Sequence, residues 1–374
     1  MTGRTAKVII AAGGSGGHIF PAIALGRALK RIDPGTEILF VGSNKYLDRR
    51  IFEKEGARFE LLTTNKLPYR PSLELVSFFA KLLFDIARSL IIIVRYRPSA
   101  VVGFGGYVSF PVIAMAWALG IPRVVHEQNA VPGRANKALF NLAGTVAVSF
   151  DQTRSSLGSN GSKAAFTGNP IRSEIFTGDR TLGIRRFGLA LDKFTILVIG
   201  GSQGAHVLNK AFIESLMMTD AALKSGLQVI HITGVKDYEW ALEEYAGACI
   251  DHRVHSFIDR IEEAYAASDL VVTRSGASAL FELAFLAKPM VLVPYPFAMS
   301  HQSENAVAFS RSGAAVVLDE KALNADLFKA TIMGLVNDRQ RLAALGAAAR
   351  ALSAPDAALA LARIVLTSAE RKRP

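Results

Sequence analysis

Two glycine-rich stretches constrain the fold of this chain more than any other feature of its sequence. Residues 9–25 read IIAAGGSGGHIFPAIAL, and residues 196–212 read ILVIGGSQGAHVLNKAF. In each, an apolar run of strand type breaks into glycines around one serine, passes a histidine and resumes with helical spacing. A strand, a glycine turn and a helix in that order are typical of nucleotide-binding α/β folds. The sequence therefore predicts the same local structure in both halves.

Short apolar runs alternate with helical patterns along the rest of the chain. Such continuous apolar strands between helices indicate parallel sheets that are covered on both faces. We predict two doubly wound, Rossmann-like α/β domains that face each other across a cleft, with ligands at the carboxyl ends of the strands. The predicted strands are Lys7–Ala12, Glu37–Val41, Ala100–Gly103, Arg123–His126, Thr145–Ser149, Phe194–Ile199, Gln228–Thr233, Arg253–Phe257, Leu270–Thr273, Met290–Pro294 and Ala315–Leu318.

The domain boundary is expected near TGNPIRSEIF (Thr167–Phe176), where Gly-Asn-Pro interrupts the strand and helix pattern. We predict an amino-terminal domain over residues 1–168 and a carboxyl-terminal domain over residues 169–345. Residues 346–374 are predicted to form a helical tail, because they continue an alanine-rich helical pattern.

The charge of the chain is unevenly distributed. The formal net charge is +11, and residues 1–170 hold 21 Lys and Arg against 10 Asp and Glu, which accounts for the whole excess. This asymmetry favours an anionic partner for the first half, such as nucleic acid, an acidic lipid surface or a phosphorylated substrate; solubility alone is the alternative. The single cysteine, Cys249, excludes a disulfide framework and suits a reducing cytoplasm.

The longest apolar run, Leu75–Val94, is predicted to be a helix that does not cross a membrane. Three charged residues within it make insertion costly. Its apolar face is broader than one sheet contact needs, so the helix either packs on two sides or enters the lipid interface beside basic residues. The polar residues fall on a single stripe of the helix: Glu74, Ser77, Lys81, Asp85 and Arg88.

The glycine turns favour ligand cradling over three other functions. Neither turn reads G-x-G-x-x-G or G-K-[ST], which disfavours a nicotinamide or an ATP site. Both match the G-x-S-x-G pattern of serine hydrolases, but a hydrolase needs only one such turn.

His18 follows the first turn at a helix start, where the dipole disfavours the imidazolium. His18 is therefore a candidate general base, with a hydrogen-bonding spacer as the alternative.

A second group of polar residues lies in the carboxyl-terminal half. Ser275–Ser278 opens a helix after a predicted strand, where free N–H groups suit a diphosphate. Glu282 follows and has the chemistry to accept both hydrogen bonds of a ribose diol; complementing the helix dipole is its alternative role. The chain has no D-x-D pattern and no Cys/His cluster, so we predict neither a metal ion nor another cofactor.

Six blocks, in order along the chain, make the sequence resemble the MurG family of glycosyltransferase family 28. They are GGSGGHIFPAIAL, GFGGYVSFP, HEQNAVPGRANK, TGNPIR, GGSQGAHVLN and RSGASALFELAFLAKP. The resemblance implies the two-domain GT-B fold and an inverting, metal-independent transfer of N-acetylglucosamine. The implied donor is UDP-N-acetylglucosamine, and the acceptor is the C4 hydroxyl of the muramoyl-pentapeptide of lipid I, which gives lipid II for peptidoglycan.

The resemblance also implies roles for single residues. His18 is the implied general base, with Glu127 as the alternative. Residues implied to meet the acceptor diphosphate are Gly13, Gly14, Gly105, Gly106 and Tyr107. Residues implied to meet the donor are Ser15, Gly16, Gly17, Asn129, Arg172, Ser202, Ile258, Ala277, Ser278, Ala279, Leu280, Phe281, Glu282 and Gln302.

The resemblance implies that the protein is a peripheral enzyme on the cytoplasmic face of the bacterial plasma membrane. We expect it to bind an anionic membrane surface and not to bind nucleic acid. The loop Thr63–Pro71 matches no block of the family, so no role follows for it. A related transferase with another lipid acceptor, and a UDP-N-acetylglucosamine 2-epimerase, remain the alternatives with the same donor chemistry. A nucleic-acid-binding protein would explain the charge but not the diphosphate-type segment of the neutral half.

Overall fold

The computed structural model describes residues 5–63, 73–200, 205–296 and 301–370. The chain divides into two units. The first comprises Met1–Arg172 together with Ala354–Pro374, and the second comprises Ser173–Ser353. Each unit is built on one parallel β-sheet.

The sheet of the first unit has seven strands in the order β3-β2-β1-β4-β5-β6-β7, and every neighbouring pair is parallel. Its strands are β1 (Lys7–Ala11), β2 (Glu37–Ser43), β3 (Phe59–Leu62), β4 (Ala100–Gly103), β5 (Arg123–Glu127), β6 (Thr145–Val148) and β7 (Ala164–Phe166). The helices of this unit are α1 (Gly16–Ile32), α2 (Tyr46–Lys54), α3 (Leu73–Tyr96), α4 (Gly106–Ala118), α5 (Arg134–Phe140) and, at the end of the chain, α15 (Ala357–Glu370).

Helices cover both faces of this sheet, because alternate residues of its central strands point to opposite sides and nearly all are apolar. Val8 and Ile10 of β1 belong to one core with residues of α1 and α15. Ile9 and Ala11 belong to the other core with residues of α3, α4 and α5. The fully buried apolar strands explain why β1 was predictable from its sequence.

The sheet of the second unit has six parallel strands in the order β10-β9-β8-β11-β12-β13. Its strands are β8 (Phe194–Ile199), β9 (Leu227–Ile232), β10 (Asp251–His255), β11 (Leu270–Thr273), β12 (Met290–Leu292) and β13 (Val316–Val317). Its helices are α6 (Arg180–Phe187), α7 (His206–Met217), α8 (Ala221–Ser225), α9 (Tyr238–Tyr245), α10 (Ile261–Ala267), α11 (Ala277–Phe285), α12 (His301–Arg311), α13 (Ala325–Val336) and α14 (Arg339–Ala351).

All eleven predicted strands are present, and the prediction of two doubly wound parallel-sheet domains is confirmed. The sequence missed β3 and β7, which are the two edge strands of the first sheet. β3 carries Glu60 and is only partly buried along most of its length. β7 has three residues, none of them buried. Edge strands lack the continuous apolar run that marks a central strand, so sequence patterns identify them poorly.

The order of strands reverses at the same place in both sheets. The chain runs from β1 outward to β3 and then crosses back to β4 on the other side of β1. It likewise runs from β8 outward to β10 and returns to β11 beside β8. The loops that follow β1 and β4, and those that follow β8 and β11, thus leave the sheet in opposite directions. In open α/β sheets, ligands bind beside such loops.

The two helices at the end of the chain belong to different units, whereas the sequence predicted one helical tail after residue 345. Leu342 and Leu345 of α14 are part of the core of the second unit. Leu361 and Val365 of α15 are fully buried in the core of the first unit, against α1. An alanine-rich pattern identifies a helix but not the surface that buries it.

The predicted helix at Leu75–Val94 is α3, and its polar stripe turns toward the sheet along its second half. Asp85 is fully buried, where its Oδ1 accepts hydrogen bonds from the N–H and the hydroxyl of Thr63 (3.0 and 3.1 Å). Arg88 pairs with Glu60 of β3 at 3.1 Å. The opposite side of α3 exposes large apolar side chains: Val76, Phe79, Leu83, Phe84, Leu90, Ile91 and Val94. Within the described ranges, no helix is long and apolar enough to cross a membrane.

Candidate active site

The first glycine turn joins β1 to α1 and depends on two glycines for its shape. A Cβ on Gly13 would lie 2.5 Å from Oδ2 of Asp48 and 2.7 Å from the backbone nitrogen of Ser43, so no side chain fits. Gly14 has a φ of +84°, which other residues adopt only with strain. Ser15 then caps α1 with extended backbone and an exposed side chain. The turn therefore presents Ser15 and the first N–H groups of α1 at the sheet edge.

A buried carboxylate holds this turn from behind. Asp48, the third residue of α2, is fully buried. Its Oδ2 accepts hydrogen bonds from the N–H of Gly14 (2.9 Å), the N–H of Ser43 (2.8 Å) and the hydroxyl of Ser43 (2.6 Å). Because Gly14 donates inward, its N–H does not serve an anion in front of the turn. The sequence missed Asp48, which lies in a helix whose composition is that of a solvated one.

His18 lies in the first turn of α1 with one ring nitrogen facing the backbone. Its Nδ1 is 3.3 Å from the carbonyl oxygen of Gly13 and 3.5 Å from Oγ of Ser15. A carbonyl only accepts, so the contact with Gly13 assigns the proton to Nδ1 and leaves Nε2 with its lone pair. The nitrogen nearest to Ser15 is then the protonated one, which cannot activate Ser15 as a hydrolase would require.

A second glycine turn meets the first. Gly105 and Gly106 connect β4 to α4 with φ values of +86° and +73°. A Cβ on Gly106 would lie 3.3 Å from the carbonyl oxygen of Gly13 and 3.3 Å from Nδ1 of His18. Tyr107 follows in the first turn of α4 and is half-buried. Gly13 and Gly106, two of the residues predicted for the acceptor diphosphate, thus meet at His18, where the strand order of the first sheet reverses.

Glu127, the alternative base, is buried at the end of β5 and has both oxygens occupied. Oε1 accepts from the backbone N–H (2.9 Å) and the side-chain amide (3.0 Å) of Asn129. Oε2 accepts from the N–H of Gly133 (3.1 Å) and from Nδ2 of Asn136 (2.8 Å). A carboxylate that accepts four hydrogen bonds from neighbouring residues stabilises the conformation of the segment that supplies them, here residues 129–136. The Glu127 carboxylate is thus engaged in holding the loop that follows β5.

The neighbouring His126 is a fully buried neutral residue. Burial lowers the pKa of His126 to about 4. Its Nε2 lies 3.2 Å from the carbonyl of Gly168, and its Nδ1 lies 3.1 Å from the amide nitrogen of Gln128. The neutral ring therefore donates to Gly168 and accepts from Gln128, which ties β5 to the segment after β7. His126 is a structural residue of the HEQN block.

In the second unit, the glycine turn after β8 begins at Gly200, and Ser202 lies outside the described residues. A Cβ on Gly200 would lie 2.9 Å from Oδ1 of Asn209, a buried residue of α7. That oxygen is 3.1 Å from Nε2 of His231, and the amide nitrogen of Asn209 donates to Thr233 and Asp237. A buried polar network therefore lies against Gly200 at the end of β8, as Asp48 lies against Gly13.

The loop after β11 leads into α11, whose start is tied to the start of α12. The hydroxyl of Ser275 donates to the carbonyl of Gln302 (2.7 Å), and Nδ2 of Asn305 donates to the carbonyl of Ser275 (3.1 Å). Oε1 of Gln302 accepts from the N–H of Tyr295 (2.9 Å). These bonds bring Gln302 to the amino-terminal end of α11, where the sequence predicted a diphosphate.

Glu282 is the sixth residue of α11 and is buried, 3% exposed. The first turn of α11 holds no acidic residue, so Glu282 does not serve to complement the helix dipole there. Leu280 and Phe281 lie in the core, and the N–H of Leu280 is bonded to the carbonyl of Gly276. Their predicted donor contacts stay a prediction. At the start of α11, Ala277 is 6% exposed, while Ser278 and Ala279 are half-buried.

Family comparisons agree with this arrangement. Residues 8–148 match the glycosyltransferase family 28 N-terminal domain, and residues 195–361 match the glycosyltransferase family 28 C-terminal domain. The chain belongs to glycosyltransferase family 28. The resemblance that the six sequence blocks indicated is confirmed, and this family 28 chain is a glycosyltransferase.

Two relatives of this family 28 enzyme carry the name UDP-N-acetylglucosamine--N-acetylmuramyl-(pentapeptide) pyrophosphoryl-undecaprenol N-acetylglucosamine transferase. The protein of Desulfotalea psychrophila is 36% identical over 356 residues, which cover 95% of each chain. The protein of Geobacter sulfurreducens is 36% identical over 367 residues, which cover 98% of this chain and 100% of the relative. Among solved structures, Acinetobacter baumannii MurG superposes with a TM-score of 0.75 at 26% identity, covering 97% of this chain and 100% of MurG.

The predicted site residues of the family 28 enzyme fall into one group in each unit. The first unit holds the glycines of both turns, His18, Asn129 and Arg172. The guanidinium of Arg172 lies 4.3 Å above the ring of Phe20 in α1. The second unit holds Ile258, after β10, with the start of α11, Glu282 and Gln302. Across the described ranges, no group of three or more His, Cys, Asp or Glu side chains is arranged to hold a metal ion.

Replacing Asp48 with asparagine is expected to loosen the first glycine turn, because the three donors lose a charged acceptor. In addition, an amide NH2 group would take the buried place of Oδ1, which has no hydrogen-bond partner among the described residues. We expect a loss of about 3 kcal/mol in the free energy of unfolding of the first unit. Faster amide exchange is expected in peptides that cover Gly13–His18. Urea unfolding and hydrogen-exchange mass spectrometry measure the two effects.

Ser43→Ala is the matched control, since it removes one of the three hydrogen bonds and leaves the carboxylate in place. A loss of about 1 kcal/mol is expected for it. Equal stability and equal exchange in Asp48→Asn and Ser43→Ala would contradict the supporting role of Asp48.

Proposed function

We propose that this family 28 enzyme transfers N-acetylglucosamine from UDP-N-acetylglucosamine to the C4 hydroxyl of the muramoyl-pentapeptide of lipid I, which forms lipid II for peptidoglycan synthesis. The observation that carries the proposal is the convergence of the two glycine turns on His18, where the strand order of the first sheet reverses. That position suits a diphosphate-linked acceptor beside a base. The names and nearly full-length similarity of the relatives support the same reaction.

The second unit is proposed to bind the donor. The main chain of Ile258 reads the uracil, Glu282 accepts both hydroxyls of the ribose, and the start of α11 receives the diphosphate. Gln302 contacts the sugar hydroxyls, and Ser202 belongs to the same set. Ser15, Gly16, Gly17, Asn129 and Arg172 of the first unit are proposed as further donor contacts. Main-chain N–H groups and Arg172 would then stabilise the leaving UDP without a metal ion.

The proposed reaction inverts the anomeric carbon in one displacement. The acceptor C4 oxygen attacks the anomeric carbon as the bond to the UDP oxygen breaks, and Nε2 of His18 takes the hydroxyl proton. The contact of Nδ1 with the carbonyl of Gly13 places the ring proton on Nδ1, so Nε2 is the nitrogen that carries the lone pair. The leaving group departs as UDP with its additional negative charge at the start of α11.

A transfer assay with His18→Ala tests this mechanism. Purified enzyme, labelled UDP-N-acetylglucosamine and a lipid I analogue are expected to give the lipid II analogue with EDTA present. His18→Ala is expected to lower kcat by about 10²–10⁴-fold with little change in the donor KM, because only proton transfer is lost. Absence of transfer in EDTA with recovery on added magnesium contradicts metal independence. Full turnover in His18→Ala but not in Glu127→Ala would assign the base to Glu127.

Glu282→Ala tests the donor site. Loss of two hydrogen bonds to a carboxylate is expected to raise the donor KM by about 10²-fold with a smaller change in kcat. A donor with 2′-deoxyuridine should bind the native enzyme more weakly and lose less affinity in Glu282→Ala than the ribose donor does, because only its 3′-hydroxyl bond to Glu282 remains to be lost. Glu243→Ala, at an exposed position of α9, is the control for loss of charge. An unchanged donor KM in Glu282→Ala would remove the ribose role.

The outward face of α3 is proposed to bind the cytoplasmic face of the plasma membrane, as a peripheral contact that brings the enzyme to its lipid-linked acceptor. Val76 and Leu83 on this face are 68% and 67% exposed. A contiguous exposed apolar surface of this kind is typical of a site that binds a membrane or another protein. The adjacent charge of the first half suits an anionic surface. Phe78, on the less exposed side of the same helix, contacts the ring of Tyr107, so the amino-terminal part of α3 lies beside the predicted acceptor loop.

Phe79→Ser with Leu83→Ser tests this contact by vesicle co-sedimentation. Each side chain is expected to contribute about 1.5–3 kcal/mol when buried in the lipid interface, so the double variant should bind vesicles at least about 10²-fold more weakly. Leu191→Ser, which changes an exposed leucine of the second unit, is the control. Equal vesicle binding by the double variant and the native enzyme would contradict the contact.

A further inference from the structure

A cavity of about 390 Å³ lies beside α3, near the amino-terminal ends of β1 and β3. The glycine turns lie at the other, carboxyl-terminal ends of the strands. Lys7 is the first residue of β1, Arg58 precedes β3, and Tyr96 is the last residue of α3. None of these residues belongs to the predicted donor or acceptor groups. The cavity therefore needs its own explanation.

The cavity is strongly basic. Lys7, Arg58, Arg88 and Arg95 line it, and Glu60 is the acidic residue among its lining residues. Two of the four cations are paired, Lys7 with Glu37 at 3.3 Å and Arg88 with Glu60 at 3.1 Å. Arg58 and Arg95 form no ion pair with any residue of the described ranges. Two positive charges are thus available at this cavity for an anion.

Tyr96 supplies a second and independent observation. Its side chain is 7% exposed, and its hydroxyl has no hydrogen-bond partner among the described residues. Burial raises the pKa of this hydroxyl, so it stays protonated and able to donate. The cationic groups of Lys7 and Arg58 lie 5.7 and 5.5 Å from the centre of its ring. A buried donor without an acceptor is costly unless a ligand completes it.

The apolar face of α3 points to the source of the anion. Ile91 lines the cavity and is 51% exposed on that face, next to Leu90 and Val94. A ligand held here would have its charged group among the arginines and its neighbouring groups along an apolar helix surface. That pairing of charge and apolar surface matches a phospholipid whose headgroup enters the cavity while its acyl chains lie against α3.

We propose that this cavity binds the phosphate of an anionic phospholipid headgroup, with Arg58 and Arg95 as the charged contacts and the Tyr96 hydroxyl as a donor. The proposal rests on the membrane contact proposed for α3 and adds its lipid specificity. α3 has 24 residues and is about 36 Å long at 1.5 Å per residue. A headgroup held near Tyr96 would fix one end of α3 to the bilayer, while the end near Tyr107 stays beside the acceptor loop.

Vesicle binding by three variants tests this site. Vesicles of phosphatidylcholine alone are compared with vesicles that contain phosphatidylglycerol. Arg58→Gln and Tyr96→Phe are each expected to weaken binding to the anionic vesicles by about tenfold and to leave binding to the neutral vesicles unchanged. Tyr96→Phe is the sharper variant, because it removes a hydroxyl and no charge. Arg31→Gln, at an exposed position of α1, removes one charge elsewhere in the same unit and is expected to have a much smaller effect.

Two results would overturn the proposal. If Arg58→Gln and Arg31→Gln weaken anionic-vesicle binding equally while Tyr96→Phe binds like the native enzyme, net charge alone accounts for the binding. If calorimetry shows that Arg58→Gln loses binding of soluble glycerol 1-phosphate while vesicle binding is unchanged, the cavity serves a free phosphate compound.

Two further measurements keep this proposal separate from the others. Glycerol 1-phosphate binding is expected to persist in the Phe79→Ser, Leu83→Ser variant, so failure of the α3 contact and failure of the cavity give different results. Transfer to a water-soluble lipid I analogue is expected to be unchanged in Arg58→Gln and Tyr96→Phe. A matching loss of that transfer would contradict a role confined to lipid binding.

Discussion

The hydrogen bonds that a buried Asp48 accepts from Gly14 and Ser43 are the contact on which the first unit's site depends. They fix the glycine turn after β1, which in turn sets the position of His18. Gly106, from the turn after β4, then packs against the carbonyl of Gly13 and the His18 ring. A carboxylate buried under three donors is stable because each donor offsets part of its desolvation. The conformation of this turn therefore depends on the hydrogen bonds to Asp48 as well as on its glycines.

The second unit reaches a similar result with neutral groups. Asn209 lies under Gly200 and is bonded to His231, which is fully buried and whose pKa burial lowers to about 3. Ser275, Gln302 and Asn305 tie the starts of α11 and α12 together. Both units therefore hold buried polar residues where the strand order reverses, beside Gly13 in the first unit and beside Gly200 in the second. This duplicated arrangement is what a two-substrate transferase needs.

The sequence predicted the parallel sheets and the glycine turns because their signals are local: apolar strands of fixed length and glycines at the turns. It missed β3 and β7, whose exposed edge positions lack that signal, and it predicted one helical tail where α14 and α15 join different units. The contact of Asp48 with Gly14 joins residues 34 positions apart, so no pattern in either segment reveals it. The donors to Glu127 are at most nine positions away, but they meet the carboxylate only through the folded conformation of the loop after β5. For the same reason, the sequence could describe the broad apolar face of α3 but not the cavity at its end.

Locating bound nucleotide in the enzyme tests the central claim most directly, namely that the second unit receives the donor and the first unit the acceptor. A crystal structure with UDP-N-acetylglucosamine is the measurement. We expect the uracil beside Ile258, the ribose on Glu282 and the diphosphate at the start of α11. Uracil and ribose bound instead in the first unit, away from Ile258 and Glu282, would contradict this account.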